Sequence, residues 1–414
     1  MIPIIKPFLG KEETTAISKA IESGWVTQGP KVKEFEDEFA KYVGAKHACA
    51  VSNCTTALHL ALLAVGVKPG NLVITVSHSF IATANSIRFC NAEPIFVDID
   101  SSTYNMGVDA LKELLKRECV LKAKGLFYKK TKKLITPVSP LSFVKDDKKE
   151  FGQVAAILVV HQMGMPCDLP SILRLAKKYK LPVVEDAACA IGSEISFNSG
   201  KTFEKIGKPH GDIACFSFHP RKIVTTGDGG MLTTSNQEYD VLFRLLRHHG
   251  MSVSDLERHK SKKVVFEHYP QLGFNYRLTD IQASIGIEQL KKISLIIEKR
   301  RKIAVKYNEL LSQINWIGLT KEPNYTRTNW QSFSIRILKN APLTRDKLMQ
   351  YLMDQGISSR PGIMNAHEEK VYTKSKWKLP NSKKAREDVL LLPLFHQMTD
   401  EQVTTIVEAI KNAK

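Results

Sequence analysis

Short apolar runs alternate with helical periodicities through the first two thirds of the chain. LVITV (72–76), PIFVDI (94–99), AAILVV (155–160), PVVEDA (182–187) and ACFSF (214–218) are almost continuously apolar and read as buried strands. GGMLTT (229–234) reads as a further strand able to run antiparallel to them. Between these runs, residues 55–65, 109–116 and 171–178 carry helical patterns. Strands apolar along their whole length, each followed by a helix, predict an α/β fold with a mostly parallel central sheet flanked by helices. In such sheets, ligands collect at the carboxyl ends of the strands. From about Tyr276 the pattern changes to one long amphipathic helix, a strand-like run at 330–338, and a closing helix, LLPLF and terminal helix over 383–410. We therefore expect a large cofactor-binding α/β domain over 13–250 and a smaller C-terminal α+β domain over 251–414. The N-terminal segment 1–12 is expected to join the smaller domain.

Composition narrows the class. At 414 residues, with 43% apolar and 25% charged residues, the chain has the profile of a globular protein of two or three domains. The longest strongly apolar run, Val154–Val160, is far short of the roughly 20 residues that span a membrane. MIPIIKPFLGKEE carries a lysine at position 6 and no small-residue cleavage pattern, so a cytoplasmic protein is expected. Seven cysteines in mostly apolar surroundings, odd in number and with no CxxC pair, point to reduced buried thiols and to no metal site.

The net charge of +18 raises nucleic acid as a partner. The excess is local, however. Residues 116–149 hold eleven Lys/Arg against Glu118, Asp146 and Asp147, with no aromatics interleaved at base-stacking spacing. A solvated basic excursion is the expectation, and no nucleic-acid partner. Such positive potential also suits a phosphorylated substrate.

Three segments place polar residues where apolar strands end. VVEDAACAIG ends a strand in Glu185–Asp186; in isolation this is equally a helix cap. ACFSFHPRKIVTTGDGG gathers Ser217, His219 and Lys222 after a strand, followed by Gly227, Gly229 and Gly230, which permit positive φ and close backbone approach. SNCTTALHLAL opens a helix with small hydroxyl residues, where Thr55 and first-turn N–H groups could hold a phosphate.

Together the segments are specific. The order of SNCTTALHLAL, SFIATAN, VVEDAACA, FSFHPRKIVTTGDGG and GFNYRLTDIQASIG resembles the DegT/StrS-type nucleotide-sugar aminotransferases, from Ile4 to LPLF near the end. These are pyridoxal 5'-phosphate (PLP) enzymes of the aspartate-aminotransferase fold class, fold type I. The resemblance implies that Lys222 is the Schiff-base lysine and the proton shuttle, and that Asp186 pairs with the pyridine nitrogen. It implies further that Ser217, Thr55 and the Thr56 amide hold the cofactor phosphate, and that Phe80 stacks on the pyridine face. Asn275 would reach the phosphate from a neighbouring subunit, so that a homodimer shares its active sites.

The implied activity is ping-pong transfer of an amino group from L-glutamate to a keto-deoxysugar carried on a nucleotide, in amino-sugar biosynthesis for a surface polysaccharide or glycoconjugate. Amination of a keto-cyclitol and a catalytically silent binding protein are the competing readings. Retention of Lys222, Asp186, Ser217 and the glycine loop argues against the second, and Lys222 argues against the dehydratase branch that carries histidine there. Three departures stand out. Cys54 occupies the usual glycine of the phosphate turn, and Cys189 replaces the Gln or His often found after Asp-Ala-Ala. Residues 119–153 read as a basic insertion, a surface excursion beside the substrate entrance. His161 and the segment 358–367 are expected to border the pocket.

Overall fold

The computed structural model describes residues 1–134, 152–253, 258, 263–264, 266–372 and 377–414. Its centre is a seven-stranded sheet: β1 (His47–Val51), β2 (Leu72–Val76), β3 (Glu93–Val97), β4 (Val154–Val160), β5 (Val183–Asp186), β6 (Ile213–Ser217) and β7 (Gly230–Thr234). The strand order is β1-β7-β6-β5-β4-β2-β3. All neighbours pair in parallel except β7, which runs antiparallel to both β1 and β6. Nearly every sheet position is buried, which is why the strands carry continuous apolar runs. His47–Val51 was not foreseen as a strand: HACAV is short and rich in alanine and cysteine, and its place is set by pairing with β7.

Helices α1 (Lys11–Glu22), α2 (Pro30–Val43), α3 (Cys54–Ala64), α4 (Ala82–Phe89), α5 (Leu169–Tyr179) and α6 (Gln237–Leu246) accompany this sheet. The 32-residue α7 (Asp280–Leu311) links two cores. Ala283, Ile287, Ile293 and Ile297 belong to the core of the large sheet. Ile303, Ala304, Tyr307 and Leu311 belong to a second core built on β8 (Ile317–Leu319), β9 (Phe333–Ile337), β10 (Arg360–Pro361) and β11 (Val389–Leu392). That smaller sheet is antiparallel, in the order β8-β9-β11-β10, and α8 (Arg345–Asp354), α9 (Pro380–Asp388) and α10 (Asp400–Lys411) accompany it. The first residues of the chain lie against it. Ile2 pairs with Ile357, and the Leu394 N–H donates to the Ile4 carbonyl at 3.1 Å.

The basic insertion differs from expectation. Cys119–Lys122 and Gly125–Tyr128 form a β-hairpin whose second strand buries Leu126, Phe127 and Tyr128. Phe127 pairs with Gln153, just before β4 begins, so the hairpin sits at the amino end of that strand, away from the carboxyl ends where ligands collect. High local charge masked this: Val120, Leu121 and Lys122 of the first strand are exposed, while the consecutive Leu126, Phe127 and Tyr128 of the second are buried. The TPVSP stretch and the rest of 135–151 lie outside the described residues. Among the described residues, no helix is long and apolar enough to cross a membrane.

Candidate active site

The carboxyl ends of β4, β5 and β6 converge on a cavity of about 650 Å³. Six of the seven residues to which the resemblance assigns cofactor roles line it: Thr55, Thr56, Phe80, Asp186, Ser217 and Lys222. The seventh, Asn275, is exposed, pairs with His248, and does not line this cavity within its own chain.

Asp186 ends β5 and is buried. Its Oδ2 accepts a hydrogen bond from the Thr83 hydroxyl at 2.8 Å, and its Oδ1 accepts one from the Ala188 N–H at 3.2 Å. Burial raises the Asp186 carboxyl above its ordinary value, and the Thr83 hydroxyl, the Ala188 amide and Lys222 oppose that rise without cancelling it. Lys222 lies five residues beyond the end of β6, and its Nζ donates to the Cys189 sulfur at 3.1 Å. Burial presses this amine toward its neutral form. Cys189, with Cys54 and Asp186 behind it, pulls harder the other way, and the pKa stands above the lysine norm.

The opposite corner is made by the start of α3. Asn53 caps the helix, its Oδ1 accepting the Thr56 N–H at 2.9 Å, and the Thr56 hydroxyl donates to the Asn53 carbonyl at 2.7 Å. The amide expected to serve an anion is therefore already engaged in the cap. The Cys54 and Thr55 N–H groups, first in the helix, have no acceptor within it. Ser217 ends β6 opposite Gly230 of β7. A Cβ at Gly230 would lie 2.5 Å from the Asn53 carbonyl, so the start of α3 can approach this strand only because residue 230 is glycine. Gly227 has φ +84°, the left-handed conformation that turns the loop.

Phe80, 64% exposed, forms part of the cavity wall. Cys54 adds its bulk at the helix start and is buried. His161, Arg360 and Ile363 also line the cavity. The His161 ring is fixed on both sides: Nδ1 accepts the Cys167 N–H at 3.2 Å, so Nε2 carries the hydrogen and donates to Glu185 at 2.9 Å.

Sequence reasoning missed Thr83, Asn329 and Gln331. Gln331 lines the cavity and its Nε2 donates to the Arg221 carbonyl at 2.6 Å. Asn329 Nδ2 donates to the carbonyls of Cys189 and Ile191, both at 2.8 Å. Thr83 stands within the quoted SFIATAN segment and carried a local signal, whereas Asn329 and Gln331 come from beyond α7 and carried none.

Comparison with known proteins agrees with this architecture. The chain is 32% identical to the spore coat polysaccharide biosynthesis protein SpsC of Bacillus subtilis, over 99% of this chain and 96% of that protein. It superposes on the aminotransferase TlmJ of Streptoalloteichus hindustanus with a TM-score of 0.81 and 28% identity, over 99% and 98% of the two chains. It also superposes on a DegT DnrJ EryC1 StrS aminotransferase from Brucella abortus with a TM-score of 0.78 and 27% identity, over 97% and 94%. The family model described as the DegT/DnrJ/EryC1/StrS aminotransferase family matches residues 7–411. The chain thus belongs to this family of pyridoxal-phosphate-dependent sugar aminotransferases.

Proposed function

We propose that the protein transfers an amino group from L-glutamate to a keto-deoxysugar carried on a nucleotide, in two half-reactions at one site, within amino-sugar biosynthesis for a surface polysaccharide or glycoconjugate. The observation that carries this reading is the meeting of Lys222 and Asp186 on the walls of one cavity with the start of α3. These residues fit pyridoxal phosphate: an amine for its aldehyde, a buried carboxylate for its ring nitrogen, and a helix start with hydroxyls for its phosphate. When bound, the cofactor supplies an electron sink for the carbon that loses its proton.

The remaining work falls to this chain. Asp186, held by Thr83 and the Ala188 amide, keeps a negative charge facing the pyridine nitrogen and so keeps a proton there. Lys222 takes the proton from the donor's α-carbon at Nζ and returns it on the acceptor side. Ser217 and Thr55 bind the phosphate, with the Cys54 and Thr55 N–H groups in place of the Thr56 amide. Phe80 covers the ring face. Asn275, which does not line its own cavity, serves the cavity of a second copy, so the working unit is a cytoplasmic homodimer. The relation to a polysaccharide biosynthesis protein supports a sugar acceptor.

The test is an absorbance spectrum of purified protein loaded with pyridoxal phosphate, before and after L-glutamate, with borohydride reduction and peptide mapping. A band that shifts on adding glutamate, and a reduced cofactor found on the Lys222 peptide, are expected. Lys222→Ala should bind the cofactor without a reducible link and fail to transfer the amine. A loaded protein whose spectrum ignores glutamate overturns the donor, and cofactor mapped elsewhere overturns the lysine.

A further inference from the structure

A closed polar circuit fixes the distance between Cys189 and Lys222. The Asn329 side chain donates to the carbonyl of Cys189, and its Oδ1 accepts the Gln331 N–H at 2.8 Å. Gln331 donates in turn to the carbonyl of Arg221, the neighbour of Lys222. The loop bearing the thiol and the loop bearing the amine are thus tied to one buried segment, 329–331, just before β9. Asn329 is wholly buried and also bonds Ser193, its N–H donating to the hydroxyl at 3.0 Å. The circuit closes at the contact between Lys222 Nζ and Cys189 Sγ, 3.1 Å.

We infer that Cys189 is a positioning residue for amine transfer, its sulfur accepting one N–H of Lys222 and so aiming Nζ across the cavity. This rests on the role of Lys222 proposed above. Sulfur suits the task because it is a weak acceptor. A weak hydrogen bond orients the amine and is readily given up as the shuttle takes and releases its proton. The cysteine is this chain's own solution at a position where the family resemblance leads one to expect Gln or His. Asp186 and Cys54 are the other groups whose charge Lys222 feels most. Asp186 is engaged by Thr83 and Ala188, and Cys54 is held in the first turn of α3.

Two arms test the inference. In the loaded enzyme, the glutamate half-reaction is followed by the cofactor's absorbance in single turnovers for wild type, Cys189→Ala and Cys189→Ser. Misaiming the amine in Cys189→Ala should slow the half-reaction by about 10-fold or more. The half-saturating glutamate concentration should stay within about twofold, since the substrate's own contacts are untouched. Cys189→Ser, which restores an acceptor, should recover most of the rate. Equal rates in wild type and Cys189→Ala overturn the inference, and so does equal slowing of the Ala and Ser variants, which would make the effect one of volume.

The second arm needs no cofactor. Six of the seven cysteines are buried and only Cys189 is partly exposed, so iodoacetamide labelling of the folded, cofactor-free protein reads Cys189. Lys222→Met should change that labelling rate several-fold, because the sulfur loses the amine that lies 3.1 Å from it. An unchanged rate overturns the contact. A wild-type protein that forms no borohydride-reducible link at Lys222 would defeat the functional reading instead, and the labelling arm would still decide the contact.

Discussion

The Thr83 hydroxyl donates to Asp186 at 2.8 Å and itself lies 2.7 Å from the Ser79 hydroxyl. Because Thr83 donates to the carboxylate, it accepts from Ser79, and the chain of three groups has one direction. Thr83→Val keeps the shape of the side chain and removes the donor. It leaves Asp186 Oδ2 buried without that partner, at a cost of about 1–3 kcal/mol borne by the charged form. We expect amine transfer to slow about 10-fold or more, each 1.4 kcal/mol being worth tenfold, with the fold intact. Single-turnover kinetics with L-glutamate, beside thermal unfolding, check this.

The same carboxylate sets a pH dependence in the cofactor-free protein. Burial raises Asp186 above its ordinary value of about 4. The folded state therefore holds this proton more tightly than the unfolded one, and stability is lost as pH rises through the raised value. Asp186→Asn removes the charge, and its amide can donate to Thr83 if the Ser79–Thr83 pair reverses direction. The variant should melt several degrees higher than wild type at pH 7.5 with the cofactor stripped. The gap should narrow as pH falls through that raised value and the wild-type carboxyl takes up its proton. Calorimetry across that range checks the sign, and a variant no more stable than wild type at pH 7.5 contradicts it.

How far the sequence spoke depended on the kind of signal. β2 to β6 were legible because both of their faces are buried, which leaves continuous apolar runs. The antiparallel option for 229–234 was open and proved to be β7's direction. Asp186, Ser217 and Lys222 stood out as polar residues at strand ends, where a ligand site in a parallel sheet must lie. β1 was not legible, since its pairing partner is some 180 residues away and its residues have weak strand preference. Asn329 and Gln331 reach the cavity by long-range packing, which has no periodicity to read. The engagement of the Thr56 amide was not read from the sequence although its cause is local: Asn53, one residue outside the helix, caps it.

Away from the cavity, Glu36 of α2 is a buried carboxylate shared by two arginines of the α6 region, Arg244 at 2.7 Å and Arg247. It also accepts the Ala50 N–H at 2.9 Å, which ties α2 to β1. Burial alone would raise Glu36, but Arg247 and Arg244 outweigh it and hold the carboxyl below its usual range. A depressed carboxyl contributes stability above about pH 4.3, its unfolded value, and that contribution is lost as pH falls through the folded value. Glu36→Ala leaves the buried Arg247 without a carboxylate and Arg244 with Asp240 alone, and should cost about 3–5 kcal/mol at pH 7. The difference from wild type should shrink in acid. Urea unfolding at pH 7 and at successively lower pH measures both.

Gly230 offers the sharpest test of the phosphate corner. It is the first residue of β7 and faces Ser217 in register, and its missing side chain leaves room for Asn53 and the start of α3. A methyl group there would stand 2.5 Å from backbone atoms of Asn53 and 2.8 Å from the Cys54 nitrogen, with no flexible side chain to give way. Either the strand or the helix start must shift. The strand is hydrogen-bonded on both sides, by β1 and β6, so the helix start is the part that moves. Overpacking of this kind costs about 1–3 kcal/mol of stability. The larger effect should fall on the cofactor, because displaced Cys54 and Thr55 N–H groups no longer meet the phosphate together with Ser217. Gly230→Ala should therefore weaken pyridoxal phosphate by about 10-fold or more, the worth of one lost charge-assisted hydrogen bond, while a reducible link at Lys222 still forms at saturating cofactor. Titration of the absorbance band gives the affinity and borohydride mapping gives the link. Unchanged affinity in a folded Gly230→Ala protein would place the phosphate elsewhere in the cavity.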